Sequence, residues 1–335
     1  MTSSELLAAL AFLCLPLSAA KLQPFEAVEP HMGTLFRIKL YAADEAEAQA
    51  AFTAAFQRIT ELDRTFSDYI PDSELNRLVK SAVHKPVKVS SDMLRLLTAS
   101  QDLSRESDGA FDITVGSVTH LWREARKQGR TPDPASLREA MAHCGYTRLH
   151  VSAAEQTVEL DEEGMQFDAG AIAKGDAADQ ALRVLGQRGI QSALVAASGD
   201  LAFSEAPPGE TGWKIGLDSF DAAQAPFTRV LRLANGAVST SGPGEQHLDK
   251  GGVRYSHILD GRTGKALTKE LTVSVIARRG IDADSLATAV SALGVRRGLA
   301  LIERRTEAAA LILSEQSGTR KLTESSRFHQ LTQPQ

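Results

Sequence analysis

The sequence predicts an α+β fold with largely antiparallel sheets and segregated helices. The first part of the chain carries long apolar patterns at helical spacing, whereas short strand-like segments dominate from residue 147 onward. Helical patterns interrupt these strands in blocks and do not alternate with them, which favours antiparallel pairing. The stretch 205–212, which contains Pro and Gly, lies between strands and is expected to be a surface loop. Residues 21–327 are therefore expected to form one compact domain.

The first part of this domain predicts one strand and then several helices. Residues 35–40 alternate apolar and polar side chains, as in a strand with one wet face. Asp44 is placed to cap a long helix, and a polar turn at 67–76 precedes a short one. The long helix has apolar residues at helical spacing: Phe52, Ala55, Phe56, Ile59, Leu62 and Phe66. Ser90 and Ser91 begin another helix, and shorter pieces are expected at 121–122 and 134–144.

The second part predicts short strands, two helices and a polar tail. The strands are expected at 148–152, 157–160, 165–168, 193–197, 213–218, 228–233, 255–259 and 272–277, with a late buried strand at 308–313. The helices are expected at 170–187 and 283–304. Residues 328–335 form the tail, which is expected to be loosely held.

The first 20 residues resemble a secretory signal peptide. Residues 6–20 are an uncharged apolar run that ends in small residues, although Glu5 stands where a signal usually carries Lys or Arg. The run is too short for a stable membrane anchor, and residues 11–13 make lipidation of Cys14 the less expected route. Periplasmic or exported localisation is expected, with an apolar N-terminal helix of the domain as the alternative. Cleavage would leave Cys144 alone, without a disulfide partner.

The overall charge argues against a nucleic-acid partner. The 335-residue chain has 37 Lys and Arg against 42 Asp and Glu, a formal net charge of −5. It therefore lacks the basic surplus that binds a polyanion. No Walker loop, Rossmann glycine fingerprint or G-x-S-x-G elbow is present.

One glycine-containing segment, FDAGAIAKG at 167–175, is typical of a turn that opens a helix. The amides of a helix N-terminus suit a phosphate group, and Lys174 in the first turn would add an ammonium donor. On local grounds Asp168 is better explained as a helix cap.

Three further segments are rich in polar side chains. Ser239, Thr240 and Ser241 in GAVSTSG form either a polar strand edge or a loop around a ligand. His257 lies in a strand-like run, where a lone histidine is usually structural but can act as an acid or base. Asp284 and Thr288 share one helix face, and taken alone this pair favours a solvated face with N-terminal capping over a site for a hard cation.

Together, these segments resemble the FAD:protein FMN transferases, the ApbE-like flavin transferases, over about residues 28–315. The motifs occur in the family's order: MGT (32–34), FSDYIPDSELNRL (66–78), DGAFDITVG (108–116), FDAGAIAKG (167–175), SGD (198–200), AVSTSG (237–242), SHILDGRTG (256–264) and DADSLATAVSALG (282–294). The resemblance implies a T-fold-like flavin-transferase domain. It also implies a Mg²⁺-dependent reaction in which a Thr or Ser hydroxyl of an acceptor flavoprotein attacks FAD. FMN then becomes attached through a phosphoester bond, and AMP leaves.

The resemblance also implies roles for individual residues. The FAD site would contain Met32, Tyr69, Ala110, Phe111, Asp112, Asp168, Lys174 and Ile258. The Mg²⁺ ligands would be Asp284, Thr288 and a main-chain carbonyl near Ala171, and His257 would be the general base. The acceptors could bring the protein close to a membrane.

The sequence departs from the family pattern at three positions. Ser198 stands where Gly is common, and Gly261 stands where Pro is usual and is expected to loosen its turn. Asp176 replaces an aromatic residue and is expected to add negative charge near an anionic ligand.

Two alternative functions are compatible with the same motifs. The site could hydrolyse FAD to FMN and AMP as a metal-dependent pyrophosphatase. Alternatively, the protein could bind FAD after export without catalysis.

Overall fold

An eight-stranded antiparallel sheet forms the centre of the molecule. The computed structural model describes residues 21–217, 229–242, 247–269, 271–316 and 318–331. The expected signal peptide (1–20) and the end of the expected tail (332–335) lie outside the described residues. In spatial order the strands are β1 (Gln23–His31), β2 (Thr34–Ala42), β6 (Ala193–Ala197), β7 (Asp200–Phe203), β10 (Gly236–Ser241), β15 (Leu271–Ala277), β16 (Ala309–Gln316) and β17 (Thr319–Glu324).

Smaller sheets lie around this centre. They are β3 (Val87–Lys88) with β5 (Thr157–Leu160) and β4 (Leu149–Ser152), and the hairpins β8 (Trp213–Leu217)–β9 (Arg229–Leu233), β11 (His247–Lys250)–β12 (Val253–Ser256) and β13 (Leu259–Asp260)–β14 (Lys265–Ala266). The helices are α1 (Glu45–Phe66), α2 (Glu74–Ser81), α3 (Ser91–Glu106), α4 (Gly116–Lys127), α5 (Pro134–Ala142), α6 (Ala173–Gln187), α7 (Gly280–Arg304) and α8 (Ser326–Leu331). The predicted α+β class with antiparallel sheets and segregated helices is confirmed.

Side-chain alternation along the strands gives the central sheet two buried faces. In β15, Val273 and Val275 belong to the core shared with α1, α3, α6 and α7, whereas Ile276 belongs to a second cluster. The second cluster contains Trp213 from the β8–β9 hairpin and Phe328 from α8. The fold is thus a helical layer, the sheet, and a smaller cover of hairpin and helix.

The predicted helices with local signals form as expected. The Asp44 side chain accepts a hydrogen bond from the amide of Glu47 at the start of α1, and Ser90 caps α3 through Met93. The expected buried residues of α1 are all in the core. Burial raises the pKa of the Cys144 thiol to about 12, so this thiol is not a nucleophile at neutral pH.

Several boundaries differ from the prediction. Residues 165–168 form no strand, only a bridge from Gln166 to Val115. The helix expected from residue 170 begins at Ala173, and the strand expected at 255–259 is broken at His257. The edge strand β1, which contains Pro24 and Pro30, was not predicted.

The chain termini of the domain also differ from the prediction. Phe328 is completely buried, so the expected loose tail does not begin there.

Helix α7 starts at Gly280, and Gly294 interrupts it with φ +74°. Among the described helices, α7 is the one with a length and composition that would allow a membrane span, and its position in the core explains its apolar composition.

Candidate active site

All the predicted site residues line one cavity of about 1090 Å³. The lining includes Met32, Tyr69, Ala110, Phe111, Asp112, Asp168, Ala171, Lys174, His257, Ile258, Asp284 and Thr288. These residues come from the β1–β2 turn, the loop before α2, the segment before α4, the start of α6, the segment after β12 and the first half of α7. The fold therefore assembles the whole predicted set in one place.

Met32 forms one rim of the cavity because it lies in a tight hairpin turn. His31 pairs with Thr34, and the two residues between them have positive φ values, +49° for Met32 and +72° for Gly33. Such a two-residue turn matches the twist of the strands it joins. The Met32 amide donates to Asp63 Oδ2 of α1 at 3.2 Å, which ties the turn to the helical layer.

Tyr69 is presented to the cavity by a well-anchored loop. The Asn76 side-chain amide donates to the carbonyls of Asp68 (3.1 Å) and Ile70 (2.8 Å) on either side of Tyr69. Tyr69 is 73% exposed, and the Arg123 guanidinium lies 4.7 Å from the centroid of its ring. Asn76 received no role from the sequence alone, although the family motif contains it.

Asp68 and its partners extend this wall of the cavity. Asp68 pairs with Arg123 and with His120 Nε2 at 3.0 Å. Although burial opposes ionisation, the His120 hydrogen bond and the Arg123 charge lower the pKa of Asp68. The hydrogen bond to Asp68 in turn raises the pKa of His120.

The segment 110–112 shapes the wall from within. Ala110 and Phe111 are buried, and Asp112 is 8% exposed. The Asp112 carboxylate accepts hydrogen bonds from the amide and hydroxyl of Thr114 and from the amide of Tyr146, at 2.7–2.9 Å. Burial raises the pKa of Asp112 above its usual range. These bonds fix the segment against the turn that precedes β4.

Asp168 organises the turn before α6 and does not cap the helix. Its Oδ1 accepts the Gly170 amide at 2.8 Å, and its Oδ2 lies 3.4 Å from Arg123 Nη2. The helix N-cap is Ile172, which makes no side-chain capping bond. The local interpretation of Asp168 as a helix cap was therefore wrong.

The amides at the start of α6 are also less available than expected. The amides of Ile172 and Ala173 donate to the carbonyl of Ala169, and the Gly175 amide donates to Asp284 Oδ2 at 3.0 Å. A phosphate group at this helix start therefore depends on Lys174 more than on the amides that the sequence predicted.

Lys174 lies between two buried carboxylates. Its ammonium is 3.1 Å from Asp200 Oδ2, 3.5 Å from Asp284 Oδ2 and 2.8 Å from the Gly170 carbonyl, to which it donates. Burial disfavours the ammonium, but the two carboxylates hold the pKa of Lys174 above its usual value. Burial, with the charge of Asp200, raises the pKa of Asp284.

Asp284 is buried because α6 and α7 cross at glycines. A Cβ on Gly175 would lie 2.5 Å from the carbonyl carbon of Gly280, and a Cβ on Gly280 would lie 3.1 Å from the carbonyl carbon of Gly175. Asp284 is 3% exposed. The local expectation of a solvated face was therefore wrong for Asp284.

The two helices cap each other at this crossing. Asp284 of α7 accepts the Gly175 amide in the first turn of α6. Asp179 of α6 accepts the amides of Gly280 (2.6 Å) and Ile281 (3.0 Å) at the start of α7. Neither helix has a side-chain cap at its own N-cap residue, so each N-terminus is satisfied by a carboxylate from the other helix.

The oxygens around Asp284 fit a hard divalent cation. Thr288 lies one helical turn beyond Asp284, and Ala171 precedes the N-cap of α6; both line the cavity. Asp200 and Asp284 together outweigh the single charge of Lys174, which leaves negative charge for a cation. Within the described ranges no group of three or more His, Cys, Asp or Glu side chains forms a metal cluster.

His257 lies at an exposed bend of the cavity rim, and Ile258 beside it is 7% exposed. The following turn is well held, contrary to the expectation for Gly261. The Gly261 amide donates to the Ala110 carbonyl at 3.2 Å, and a Cβ there would lie 2.5 Å from the Gly109 carbonyl oxygen. Gly261 thus allows the turn to dock closely on the segment 109–112.

Strand β10 lines the floor of the cavity with polar side chains. It is a central strand between β7 and β15 and contains Ser239, Thr240 and Ser241, so both the strand-edge and the loop interpretations of GAVSTSG were wrong. Ser239 donates to Asp200 Oδ1 at 2.6 Å, and Thr240 and Ser241 line the cavity. Asp200 belongs to the SGD motif, but the sequence alone assigned it no role.

The two other departures from the family pattern are Ser198 and Asp176. Ser198, in the β6–β7 turn, has φ +56°, a backbone conformation that suits the glycine common at this position. Asp176 is buried and forms a two-bond ion pair with Arg95, at 2.8 and 2.7 Å. Because Arg95 neutralises it, Asp176 does not add free negative charge to the cavity.

Comparison with known proteins identifies the family. The chain is 33% identical over 299 residues to the FAD:protein FMN transferase of Treponema pallidum, covering 84% of this chain and 82% of that protein. It is 32% identical over 286 residues to an FAD:protein FMN transferase of Klebsiella pneumoniae, covering 85% and 87%. The solved structure of the flavin transferase ApbE from Vibrio cholerae superposes with a TM-score of 0.83 at 27% identity, covering 93% of this chain and all of that one. The ApbE family profile matches residues 32–312, and the chain belongs to the ApbE family.

Proposed function

We propose that the protein is a Mg²⁺-dependent FAD:protein FMN transferase that attaches FMN to a Thr or Ser hydroxyl of an acceptor flavoprotein and releases AMP. One observation carries the proposal: a single cavity collects every residue that the family resemblance assigns to FAD, metal and proton transfer. The relatives in Treponema and Klebsiella bear the name of this activity.

The chain's own residues would position FAD for cleavage of its pyrophosphate. Lys174 would donate to the pyrophosphate oxygens, and Tyr69 and the segment 110–112 would hold the rest of the dinucleotide. Asp284, Thr288 and the carbonyl at Ala171 would hold Mg²⁺, which would neutralise charge on the pyrophosphate. In the transfer, the acceptor oxygen forms a bond to the FMN phosphorus while the bond from that phosphorus to the AMP oxygen breaks.

His257 is proposed to accept the proton of the incoming hydroxyl. Its exposed position at the rim suits an acceptor protein that approaches from solvent. Imidazole titrates near neutral pH, which suits a general base. We expect His257→Ala to lower kcat more than FAD affinity, with His150→Ala, an exposed histidine outside the cavity, as the control.

The activity is tested by incubating the protein with FAD, Mg²⁺ and a candidate acceptor domain. Covalent flavin fluorescence on the denatured acceptor, with the mass increase of one FMN, supports the proposal. Free FMN and AMP without labelled acceptor would instead indicate an FAD pyrophosphatase, and intact FAD would indicate a binding protein. Mass spectrometry of co-expressed periplasmic redox proteins extends the test to natural acceptors.

The metal assignment is tested with a matched pair on α7. Asp284→Ala should abolish Mg²⁺-dependent transfer. Asp282→Ala removes a carboxylate that pairs with Arg279 and does not line the cavity, and it should retain transfer. Unchanged transfer in Asp284→Ala would show that the metal ligands are elsewhere.

We further propose that residues 1–20 direct export to the periplasm, where acceptors could lie close to the membrane. The support is the apolar run 6–20 with its small-residue end. A reporter active only after export, fused to residues 1–20 and compared with the unfused reporter, tests this. Loss of the first 20 residues from the mature protein would establish cleavage.

A further inference from the structure

The Lys174 ammonium lies beside the Asp284 carboxylate, whose negative charge a metal ion at this site would need. Asp284 Oδ2 is 3.0 Å from the Gly175 amide, which donates to it, and 3.5 Å from Lys174 Nζ. A divalent cation bound to this carboxylate would meet the lysine charge at close range and at a buried position. The two cations therefore repel each other while sharing one carboxylate, and each weakens the other's interaction with Asp284.

We infer that Lys174 is an internal counterion that competes with the divalent cation for Asp284. Without metal, the ammonium neutralises Asp284; metal binding displaces it toward Asp200 and the open cavity. The inference rests on the proposed function only for the placement of the metal at Asp284. It adds that FAD favours metal loading, because its pyrophosphate offers the displaced ammonium a new partner.

Asp200 is the residue that makes this displacement possible. Its Oδ2 already lies 3.1 Å from Lys174 Nζ, and its Oδ1 is oriented by the Ser239 hydroxyl at 2.6 Å. The Lys174 side chain lines the cavity and is 23% exposed, so it has room to move. Asp200 therefore acts on the metal site through Lys174, as a positioning residue.

The test measures Mn²⁺ binding by isothermal titration calorimetry, without FAD or acceptor. We expect Asp284→Ala to abolish binding and Lys174→Met to bind Mn²⁺ about tenfold more tightly than the native protein. Arg126→Met also removes a positive charge from the cavity lining, but it should change affinity by less than about twofold because Arg126 lies outside the Lys174 cluster. Lys174→Arg, which keeps the charge, should match the native protein.

The role of Asp200 is tested with a double-mutant cycle. Asp200→Asn should weaken Mn²⁺ binding more in the native background than in Lys174→Met, where only its direct attraction for the cation remains. Lys174→Gln provides a second neutral variant if Lys174→Met does not fold, as judged by circular dichroism.

Three results would overturn the inference: unchanged or weaker Mn²⁺ binding in both neutral Lys174 variants, an equal gain in Arg126→Met, or full binding in Asp284→Ala. Because neither FAD nor acceptor is present, the proposed function can fail while these affinities behave as expected. The reverse holds as well, since transfer can proceed with no competition by Lys174.

Discussion

The glycine crossing of α6 and α7 gives the sharpest prediction for stability. In Gly175→Ala the new Cβ would lie 2.5 Å from the carbonyl carbon of Gly280 and 2.8 Å from the Cβ of Asp284, and closer still to the Gly280 carbonyl oxygen. Most of the atoms it meets belong to backbone, which cannot move aside without shifting a whole helix. The substitution should therefore push α7 away from α6.

The size of the effect follows from three contributions. Overpacking of a tight interior contact costs about 1–3 kcal/mol. Separating the Gly175 amide from the buried Asp284 carboxylate adds about 1–3 kcal/mol. The higher helix propensity of Ala returns about 1 kcal/mol. We expect a net loss of about 1–5 kcal/mol in the free energy of unfolding.

Urea unfolding followed by circular dichroism measures this loss, with Gly186→Ala as the matched control. Gly186 lies on the same helix, and a Cβ there would meet nothing within 4 Å. This control should be more stable than the native protein by about 0.5–1 kcal/mol. Equal stability of the two variants would refute the close crossing. A destabilised Gly175→Ala that still binds Mn²⁺ normally would refute the link between the crossing and Asp284.

Three other predictions concern charged and strained positions. Burial raises the pKa of Asp179 to about 6 from its usual 3.8, so the unfolded chain ionises at a lower pH than the folded protein, and stability falls between these two pKa values. The native protein should therefore lose stability relative to Asp179→Asn as the pH rises from about 3.8 to about 6, by at most about 3 kcal/mol, and should lose no more above pH 6, measured by urea unfolding at pH 4, 6 and 8. A constant difference across this range would contradict the shift. Ser198→Gly should raise the free energy of unfolding by about 0.5–1 kcal/mol because it relieves the positive φ, and a lower melting temperature would count against this. His120 has a raised pKa, so its bond to Asp68 is at full strength below the usual His pKa and fades as the pH rises through the raised value. At pH 6 the native protein should be more stable than His120→Gln by less than about 1 kcal/mol, because this pair is half-exposed, and it should lose this difference in stability by pH 9. A difference that grows with pH would be the contrary result.

Elements with complete local signals were predictable from the sequence. Helix α1 has its cap, Asp44, and its apolar stripe within one segment, and the structure confirms both. The strand expected at 165–168 did not form, because Met165 and Phe167 alternate with polar residues as in a strand but no strand in the described part of the chain pairs with this segment. There, Gln166 makes one bridge to Val115 and the chain turns away.

The roles of the site residues were predicted from the family resemblance, because their local sequence patterns favoured helix capping and solvent exposure over ligand binding. Asp284 looked solvated because its partner, the Gly175 amide, lies 109 residues earlier in the chain. Asp176 looked like free negative charge because Arg95, which pairs with it, is 81 residues away. Long-range partners of this kind leave no periodic signal, and only the assembled fold shows which carboxylates are already neutralised.

The reciprocal capping of α6 and α7 explains why a buried carboxylate can be kept near the proposed metal site. An isolated buried charge is costly, but the Asp284 carboxylate accepts a hydrogen bond from the Gly175 amide in the first turn of α6 and also faces the Lys174 ammonium. Asp179 performs the same task in the opposite direction, so the crossing is held by two carboxylates whether or not a cation is present. A cation therefore enters a site whose backbone is already organised, and the main rearrangement it requires is that of one lysine side chain.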